Sequence, residues 1–440
     1  MSTPKESSAL SKSLAAALAS RDARWIRRRL PDPNTSSSDS PLIDFSSNDY
    51  LSLSHSSKLR AHLLERLAGA PDVLGSGGSR LLVNGRAHAA LEARLAAFFR
   101  VETVLLFNSG FDANVGFFSC IPQPGDTIVY DEYIHASVHD GMRASRAKAQ
   151  FAFSHNSVPD IRRLLCRLLE ERKGLLSGAN SLFLSVESLY SMDGTFSPLR
   201  EIADMLDELF PMKNAYLIVD EAHSTGIYGP QGRGRVAELG LEDRVLARLH
   251  TFGKALAATG AVIATNVLIR DYLLNYARSL IYTTSLSYAN IIAADCSFDM
   301  LTDGTAQHLS NRLLELSSYF TESLQPRLTL QNIPPTLLRL PSHLQLASAT
   351  TSSPPSPIIP VLTPHPRPLS AYLLALGMNA RPITWPTVPK GKDRVRVCLH
   401  AGNTKEDVDR LVEGLVKWAV ETMGRGREVV ELGVLVESKL

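Results

Sequence analysis

The feature that most constrains the fold is a series of short apolar runs, each ending in a polar residue. Continuous apolar runs are typical of strands buried on both faces of a parallel sheet, and the stretches between them have helical character. The runs are Val104–Phe107 before Asn108-Ser109-Gly110, Thr127–Tyr130 before Asp131, Ser181–Val186 before Glu187, Tyr216–Val219 before Asp220, and Val262–Ala264. Because ligands bind beyond the carboxyl ends of such strands, we expect the functional side chains at that edge.

A chain of 440 residues favours two domains, one large and one small. Residues 11–30 read as a helix, Tyr288–Leu324 as a long helical stretch, and the Ser/Thr/Pro segment 347–357 as a surface loop. The predicted boundaries are 1–44 for an N-terminal helix and linker, 45–290 for a large α/β domain, 291–437 for a smaller α+β domain, and 438–440 for a targeting signal.

The composition argues against several classes of protein. With 46 basic and 44 acidic residues and no charge block, the chain is not expected to bind nucleic acid. No apolar run is long enough to predict a membrane span. The four cysteines have no CxxC spacing, so we predict reduced buried thiols and no metal site; they are Cys120, Cys166, Cys296 and Cys398.

The two ends of the chain suggest different cellular locations. Ser438-Lys439-Leu440 matches the peroxisomal targeting signal. The Ser-, Ala- and Arg-rich N-terminus could instead be a mitochondrial presequence, although Glu6 and Asp22 interrupt it. We favour the peroxisome over the cytosol or the mitochondrion, and the peroxisomal import receptor is then an expected partner.

Two segments indicate pyridoxal phosphate chemistry. Asp220 ends an apolar strand, with His223 three residues later, and Lys254 follows Thr251-Phe252-Gly253. This chemistry needs a lysine that bonds to the cofactor aldehyde and a carboxylate that keeps the pyridine nitrogen protonated. A desolvated lysine has a lowered pKa and can act as nucleophile and base. Taken alone, Lys254 would be read as a surface lysine and Asp220 as a structural or helix-capping aspartate.

Other candidates lie at the same strand ends. Ser109-Gly110-Phe111 begins a helix after a strand, where backbone N–H groups bind phosphate well, although an ordinary turn would look similar. His135 could lie flat over the pyridine ring, and Glu187 and Ser191 begin and end a loop. The glycine-rich segment Gly75–Arg80 lacks the Gly-Lys-Ser/Thr of a P-loop.

The order of these segments resembles the α-oxoamine synthases, which are fold-type I pyridoxal phosphate enzymes. The resemblance covers about Arg27 to Val420, and no single segment would establish it. It rests on Phe45-Ser46-Ser47-Asn48-Asp49-Tyr50-Leu51, Gly75-Ser76-Gly77-Gly78-Ser79-Arg80, Ser109-Gly110-Phe111, His135-Ala136-Ser137, Ser191-Met192-Asp193-Gly194, Asp220-Glu221-Ala222-His223, Thr251-Phe252-Gly253-Lys254, and Pro386-Thr387-Val388-Pro389 followed by Arg394-Val395-Arg396. It implies an aminotransferase-like large domain with a mostly parallel seven-stranded sheet, and a homodimer with its active site at the interface.

The resemblance also implies roles for individual residues. Lys254 would hold the cofactor and move the proton, Asp220 would pair with the pyridinium nitrogen, His135 would stack on the ring, and His223 would contact the ring oxygen. The implied binding residues are Ser109, Gly110, Phe111 and Thr251 for the phosphate side, Glu187 and Ser191 elsewhere around the cofactor, Asn48 and Arg396 for the amino-acid carboxylate, Arg27 for the acyl substrate, and Thr284 and Ser285 for the partner's phosphate.

The implied reaction is the decarboxylative condensation of an amino acid, with L-alanine favoured, and an acyl-CoA, with pimeloyl-CoA favoured. Relatives that accept the pimeloyl group commonly carry an arginine two residues before the Pro-Thr-Val-Pro run. Here that position is Thr384, followed by Trp385, and Arg381 is a candidate substitute. Ser52 replaces a usual glycine, from which we expect only an altered turn.

Several alternatives remain at this point. Glycine or serine could replace alanine, and another acyl-CoA could replace pimeloyl-CoA, as in aminolevulinate, aminoketobutyrate, sphingoid-base or secondary-metabolite synthases. The absence of a predicted membrane segment argues against the sphingoid case. A non-catalytic scaffold subunit is disfavoured because Lys254 is present, and a simple transaminase is disfavoured by the order of the segments.

Overall fold

The structure is a computed structural model that describes residues 8–24, 26–28, 30, 42–345 and 354–437, with side chains described up to residue 424. It divides into two compact units, Met1–Leu42 and Ile43–Leu440. The predicted signal at 438–440 and residues 347–353 of the Ser/Thr/Pro segment lie outside the described residues.

The elements follow one another in a largely alternating order. The strands are β1 Ile43–Asp44, β2 Thr103–Phe107, β3 Thr127–Asp131, β4 Ala149–Phe153, β5 Leu182–Glu187, β6 Ala215–Asp220, β7 Ala247–Thr251, β8 Ala261–Thr265, β9 Ile358–Leu362, β10 Met378–Asn379, β11 Arg381–Ile383 and β12 Arg394–Cys398. The helices are α1 Ala9–Ala23, α2 Ser57–Ala68, α3 Arg86–Phe99, α4 Gly110–Cys120, α5 Ala136–Ala144, α6 Val158–Glu171, α7 Lys173–Leu176, α8 Leu199–Leu209, α9 Arg235–Glu238, α10 Val267–Tyr276, α11 Arg278–Ile281, α12 Tyr288–Thr302, α13 Thr305–Leu330, α14 Pro366–Ala375 and α15 Lys405–Glu437.

The first unit contains a single described helix. The prediction of a helix over 11–30 was wrong at both ends, because α1 spans Ala9–Ala23. The N–H of Ile26 donates to the carbonyl of Arg21 at 2.9 Å, a wide turn that ends the helix. No residue of α1 is buried, so packing does not extend it.

A seven-stranded sheet forms the centre of the second unit. Its strand order is β2-β8-β7-β6-β5-β3-β4, and only β8 runs antiparallel to its neighbours. The prediction of an α/β, aminotransferase-like fold with a mostly parallel seven-stranded sheet is confirmed. All strands except β8 therefore end at one edge of the sheet, and β8 starts there.

Helices cover both faces of this sheet, which explains the continuous apolar runs. Ile218 packs into one hydrophobic cluster, while Leu217 and Val219 pack into another on the opposite face. Alternate strand residues point to opposite faces, so every residue of a buried run loses water. Each buried Val, Leu or Ile contributes about 1.5–3 kcal/mol.

A second sheet of three antiparallel strands, ordered β11-β12-β9, belongs to the C-terminal part of the chain. Helices α13, α14 and α15 contribute to its hydrophobic cluster. The short strand β1 pairs in parallel with β10. Antiparallel pairing in a smaller α+β region agrees with the predicted fold class, while the domain boundaries at 290 and 291 stay a prediction.

The predicted helical stretch Tyr288–Leu324 was wrong in detail, because it is two helices, α12 and α13. Gly304 between them has φ 84°, a left-handed conformation that ends a helix. The last helix, α15, spans Lys405–Glu437. Within the described part of the chain, no helix combines the length and apolar character needed to cross a bilayer.

Candidate active site

Four neighbouring parallel strands bring polar side chains to one edge of the large sheet. Strands β7, β6, β5 and β3 end at Thr251, Asp220, Glu187 and Asp131. Glu187 and Asp220 are direct partners in the β5–β6 register. The three carboxylic acids are at most 7% exposed, so this edge places acidic groups in a desolvated row.

Lys254 lies in the tight connection between β7 and β8 at this edge. The N–H of Ala257 donates to the carbonyl of Lys254 at 3.0 Å, and the N–H of Ala258 donates to that of Phe252 at 2.9 Å. Ser297 anchors the same connection by donating to the carbonyl of Leu256 at 2.7 Å. The backbone that carries Lys254 is therefore fixed on both sides of the lysine.

The charges around Lys254 perturb one another. Burial lowers the pKa of Lys254, while Asp220 and Glu187 oppose that change. Burial also raises the pKa of Glu187 well above its usual range, and Asp220 raises it further. The Glu187 Oε1 atom has no hydrogen-bond partner among the described residues. A lysine with weakened basicity beside a carboxylate is suited to bonding to an aldehyde.

Asp220 is held by contacts that the sequence did not reveal. Its Oδ2 accepts from Asn114 Nδ2 at 2.9 Å, and its Oδ1 accepts from the N–H of Ala222 at 2.9 Å. Asn114 Nδ2 also donates to Ser137 Oγ at 2.9 Å, and Ser137 Oγ lies 2.8 Å from His135 Nδ1. One chain of hydrogen bonds thus joins Asp220 to His135.

Close packing of α4 on α5 makes this series of hydrogen bonds possible. A Cβ on Gly141 would come within 3.0 Å of the Asn114 carbonyl oxygen and 2.8 Å of Phe118 Cβ. Glycine at this position lets the two helices approach closely enough for Asn114 of α4 to contact Ser137 of α5. The spacing depends on residues far from the motif that contains His135.

His135 presents an open ring at the edge of the sheet. More than a third of the residue is exposed, and the Phe111 ring stands edge-on to it with 6.5 Å between centroids. Desolvation and the Lys254 charge lower the pKa of His135, so its imidazole is neutral near pH 7. Its Nδ1 accepts from the N–H of Ser137, which leaves the proton on Nε2.

The amino end of α4 forms an anion-binding corner. Ser109 caps the helix by accepting from the N–H of Asp112 at 3.1 Å. The N–H groups of Gly110 and Phe111 are therefore among the unpaired donors of the first helical turn. A Cβ built on Gly110 would lie 3.4 Å from Thr251 Cβ. Strand β7 and helix α4 thus bring Ser109, Gly110, Phe111 and Thr251 to one corner.

A buried tyrosine connects His223 with the predicted carboxylate-binding residues. The hydroxyl of Tyr50 lies 2.7 Å from His223 Nδ1 and 3.1 Å from Asn48 Oδ1. Arg396 Nη2 donates to Asn48 Oδ1 at 3.1 Å. Burial and the Lys254 charge lower the pKa of His223 well below its usual value, so its ring is neutral. Sequence reasoning missed Tyr50, although it lies inside a segment used for the resemblance.

The loop after β5 is fixed by two arginines of β12. Arg396 Nε donates to the Ser191 carbonyl at 2.6 Å. Arg394, which is 2% exposed, pairs with Asp193 at 2.6 Å and donates to the Met192 carbonyl at 2.9 Å. The predicted residues Ser191 and Arg396 are therefore in contact.

Three other predicted positions have contacts of their own. Arg27 pairs with Asp22 at 2.6 Å within the N-terminal unit, and its proximity to an acyl substrate stays a prediction. Thr284 is exposed, and its carbonyl accepts from Asn108 Nδ2 at 2.7 Å. Ser285 lies 2.7 Å from Ser76, between their hydroxyl oxygens, at the glycine-rich loop.

The missing arginine before the Pro-Thr-Val-Pro run has two nearby counterparts. Arg381 on β11 is the direct register partner of Arg396 on β12, so the two side chains leave the same face of the sheet. Arg367 Nη2 donates to Thr384 Oγ1 at 3.2 Å. Ser52 adopts φ 54°, the left-handed region in which glycine is usual, so the substitution keeps the turn.

One cluster in the described part of the chain has ligand atoms spaced closely enough for a metal. His62, Cys296 and Asp299 each offer a ligand atom within 4.8 Å of the others. However, Arg66 and Arg94 both pair with Asp299, at 3.5 and 2.8 Å. These positive charges oppose a cation, and the cluster is better explained as an ion-pair network.

The side chains at the sheet edge fit pyridoxal phosphate. Lys254 offers a weakened amine, Asp220 a fixed carboxylate, His135 an open ring face and α4 an amino end for phosphate. The orphaned Glu187 Oε1 marks a buried polar position that the protein itself does not satisfy. No other part of the described sheet edge combines these groups.

Comparisons with known proteins agree with this geometry. The profile described as aminotransferase class I and II matches residues 40–415. The 8-amino-7-oxononanoate synthase of Emericella nidulans is 46% identical over 412 residues, 93% of this chain and 96% of that protein. The aminoacyl transferase sphA of Aspergillus fumigatus is 41% identical over 385 residues, 86% and 81% of the respective chains. The serine palmitoyltransferase structure from Sphingomonas wittichii matches with a TM-score of 0.76 and 26% identity, covering 95% and 99%.

Proposed function

Because the chain belongs to the aminotransferase class I and II family and is of the α-oxoamine synthase type, we propose that it condenses L-alanine with pimeloyl-CoA. The products are 8-amino-7-oxononanoate, CoA and CO₂, as a step of biotin biosynthesis. The observation that carries the proposal is the site itself: at one sheet edge burial and the Arg396 charge lower the pKa of Lys254, while the neighbouring Asp220 opposes that change.

Pyridoxal phosphate is the cofactor of this acyltransferase. When bound, it withdraws electrons from a bond at the amino-acid Cα and so lets that bond break. Asp220 would pair with the protonated ring nitrogen, and the two hydrogen bonds from Asn114 and Ala222 fix its oxygens for that contact. His135 would hold the cofactor from one side, and its neutral imidazole would add no charge there.

The chain's own residues then handle the amino acid. The Arg396 guanidinium and the Asn48 amide bind its carboxylate and set the orientation of the Cα bonds. Lys254 Nζ accepts the Cα proton, which its lowered pKa permits near neutral pH. The freed Cα attacks the thioester carbonyl, CoA leaves, CO₂ is lost from the former amino-acid carboxylate, and Lys254 returns a proton to carbon.

The identity of the substrates is the finer part of the proposal. The 46% identity to a protein named 8-amino-7-oxononanoate synthase supports alanine and pimeloyl-CoA. The 41% identity to an aminoacyl transferase, and Thr384 in place of the usual arginine, favour a second candidate with another amino acid or acyl chain. Arg381, exposed and opposite Arg396, supports a carboxylate-ended acyl chain.

The assembly that we propose is a homodimer with the site at its interface. Large apolar side chains are exposed near the glycine-rich loop and the Thr284 segment; they are Leu74, Leu81, Leu82 and Tyr282, at 57–81% exposure. Contiguous exposed apolar surface typically marks an interaction site. Light scattering of the purified protein should give twice the mass of the chain, and a monomer with full activity would contradict this assembly.

The proposed location is the peroxisome. It is supported by Ser438-Lys439-Leu440 at the chain end, which the import receptor would bind. A fluorescent fusion at the N-terminus should appear in peroxisomes and move to the cytosol when the three residues are removed. An unchanged distribution after that truncation would contradict the proposal.

The main test compares the wild-type protein with Lys254→Ala and a surface control, Lys173→Ala. Purified protein is incubated with alanine, glycine and serine against a panel of acyl-CoA thioesters, and free CoA is measured. Lys254→Ala should lose both CoA release and the visible absorbance of the attached cofactor, whereas Lys173→Ala should keep both. CoA release that persists in Lys254→Ala would overturn the proposal, and none in the wild type would favour a scaffold subunit.

A further inference from the structure

The segment after β5 turns back on itself and forms a small hairpin. The N–H of Tyr190 donates to the carbonyl of Thr195 at 2.9 Å, which joins its two arms. We call residues 188–197 the Ser191 hairpin. Its turn presents the Ser191 carbonyl to Arg396 Nε at 2.6 Å. The position of Arg396, which would bind the amino-acid carboxylate, therefore depends on where this hairpin lies.

His155 joins the Ser191 hairpin to the end of strand β3. Its Nδ1 lies 2.9 Å from Asp131 Oδ1, and its Nε2 lies 2.8 Å from Thr195 Oγ1. The Tyr190 ring stands edge-on to the imidazole, with 4.5 Å between centroids. The Tyr133 ring stacks on it at the same centroid distance, with 23° between the planes. His155 thus contacts both arms of the hairpin and the buried carboxylate of Asp131.

The neighbours of His155 determine which of its nitrogens carries the proton. Asn156 Nδ2, which can only donate, lies 3.2 Å from His155 Nε2. Nε2 therefore accepts, both from this amide and from the Thr195 hydroxyl, and the proton lies on Nδ1, which donates it to the Asp131 carboxylate. Asn156 Nδ2 also donates to the Phe196 carbonyl at 3.1 Å. Two neighbouring side chains thus hold the same arm of the hairpin.

The Ser191 hairpin is held from the large sheet and from the three-stranded sheet. Two arginines of β12 hold its turn, while His155 holds its arms from the end of β3. Asp131 keeps two backbone donors without the imidazole, the N–H groups of Tyr133 and Asn156 at 2.8 and 2.9 Å. Loss of the imidazole should therefore release the hairpin more than it disturbs β3.

From these contacts we propose that His155 is a positioning residue for the amino-acid carboxylate. It acts through the Ser191 hairpin, whose turn fixes the Arg396 guanidinium, and it makes no contact of its own with the substrate. This rests on the proposed function, because Arg396 is given its carboxylate ligand there. His155 thereby couples the end of β3 to the residue that sets the orientation of the Cα bonds.

Two conservative substitutions separate the contacts of His155. The amide nitrogen of asparagine can replace Nδ1 and reach Asp131, and the amide oxygen of glutamine can replace Nε2 and reach Thr195. A lost hydrogen bond changes an equilibrium constant by roughly 2- to 12-fold. His155→Asn should therefore raise the KM for the amino acid by that factor with kcat unchanged, while His155→Gln should stay close to the wild type.

The other side of the contact provides a second pair of variants. Thr195→Val removes the hydroxyl at nearly the same shape and should reproduce His155→Asn, whereas Thr195→Ser keeps the hydroxyl and should behave as wild type. The matched control is His62→Asn, which breaks a histidine–aspartate contact of 2.8 Å between α2 and α12 and should leave the KM unchanged. Wild-type kinetics in Thr195→Val, or an equal rise of KM in His62→Asn, would overturn the inference.

A binding titration is independent of condensation. L-Alanine and ethylamine, which is alanine without its carboxylate, are each added to the protein loaded with pyridoxal phosphate, and the cofactor absorbance is followed. His155→Asn should weaken the binding of alanine and leave that of ethylamine unchanged. Equal weakening of both amines, or a lower kcat at unchanged KM, would show a merely structural role. Wild-type protein that binds alanine more tightly than His155→Asn does, but releases no CoA from any thioester, would reject the proposed function and keep this inference.

Discussion

The Tyr50 hydroxyl links His223 to the predicted carboxylate-binding residues. It donates to Asn48 Oδ1 at 3.1 Å and lies 2.7 Å from His223 Nδ1, and Asn48 Oδ1 also accepts from Arg396. The Tyr50 hydroxyl is therefore the described hydrogen-bond partner of His223 Nδ1 and holds the imidazole in place. Since burial keeps the pKa of His223 well below its usual value, the ring is neutral near pH 7.

Tyr50→Phe removes that donor without changing the shape of the side chain. Tyr50 is completely buried, so His223 Nδ1 would lose its described partner and water would not replace it readily. An unsatisfied buried polar group costs about 1–3 kcal/mol. If half of this cost, about 0.5–1.5 kcal/mol, falls on the bound state, kcat/KM for the amino acid should fall about 2- to 12-fold, since about 1.4 kcal/mol is tenfold.

The assay is steady-state kinetics with the amino acid varied, combined with thermal unfolding. The control is Tyr228→Phe, another buried tyrosine, whose hydroxyl donates to the Pro355 carbonyl at 2.7 Å. It should lose stability of about 1 kcal/mol and keep its kinetics. A Tyr50→Phe protein with wild-type kcat/KM, or a Tyr228→Phe protein equally impaired, would refute the argument that the Tyr50 hydroxyl positions His223.

Three further changes test individual contacts. Ser52→Ala should lower the free energy of unfolding by about 1 kcal/mol, because Ser52 Oγ accepts from the Gly402 N–H at 2.8 Å. Ser52→Gly loses the same hydrogen bond but relieves the left-handed φ, so its stability should be close to that of the wild type. Urea titration distinguishes the two variants. The raised pKa of Glu187 makes the stability of the wild-type protein fall as pH rises above 4.5, by at most ~1.4 kcal/mol per pH unit. Glu187→Gln should therefore be more stable than the wild type in the cofactor-free state, by an amount that grows with pH. A difference in melting temperature that does not change with pH would contradict this. Asp193→Ala should lower the free energy of unfolding by about 2–3 kcal/mol, and Asp193→Asn by less, because both leave the buried Arg394 without its ion-pair partner. Urea midpoints equal to that of the wild type would contradict this prediction.

The sheet and its functional edge were predictable because strand ends are local features. Asp131, Glu187 and Asp220 each follow an apolar run, and parallel strands necessarily end at one edge. Lys254 was identified in another way, from the residues Thr251-Phe252-Gly253 before it, and β7, which ends at Thr251, was not among the predicted runs. For the three acids, an apolar run and one polar residue were sufficient.

Tyr50 and Asn114 were not predictable in the same way. Tyr50 meets His223 across 173 positions of sequence, and Asn114 meets Asp220 across 106. Their roles depend on how α4 packs against α5 and on how the N-terminal segment crosses the sheet edge. By contrast, the break at Gly304 could have been predicted, because Asp303-Gly304 is a turn signal.

The arrangement of charges explains why this edge can hold a positive ring and still release a proton from carbon. Burial lowers the pKa of Lys254 and so weakens its hold on a proton, while the charges of Asp220 and Glu187 oppose that change. Burial also raises the pKa of Glu187 well above its usual range, and Asp220 raises it further, so Glu187 resists ionisation beside the lysine. Asp131 is engaged elsewhere, because His155 and two backbone N–H groups hold its oxygens. Asp220 is therefore the carboxylate best placed to face a pyridinium, and the weakened basicity of Lys254 leaves it able to act as a base.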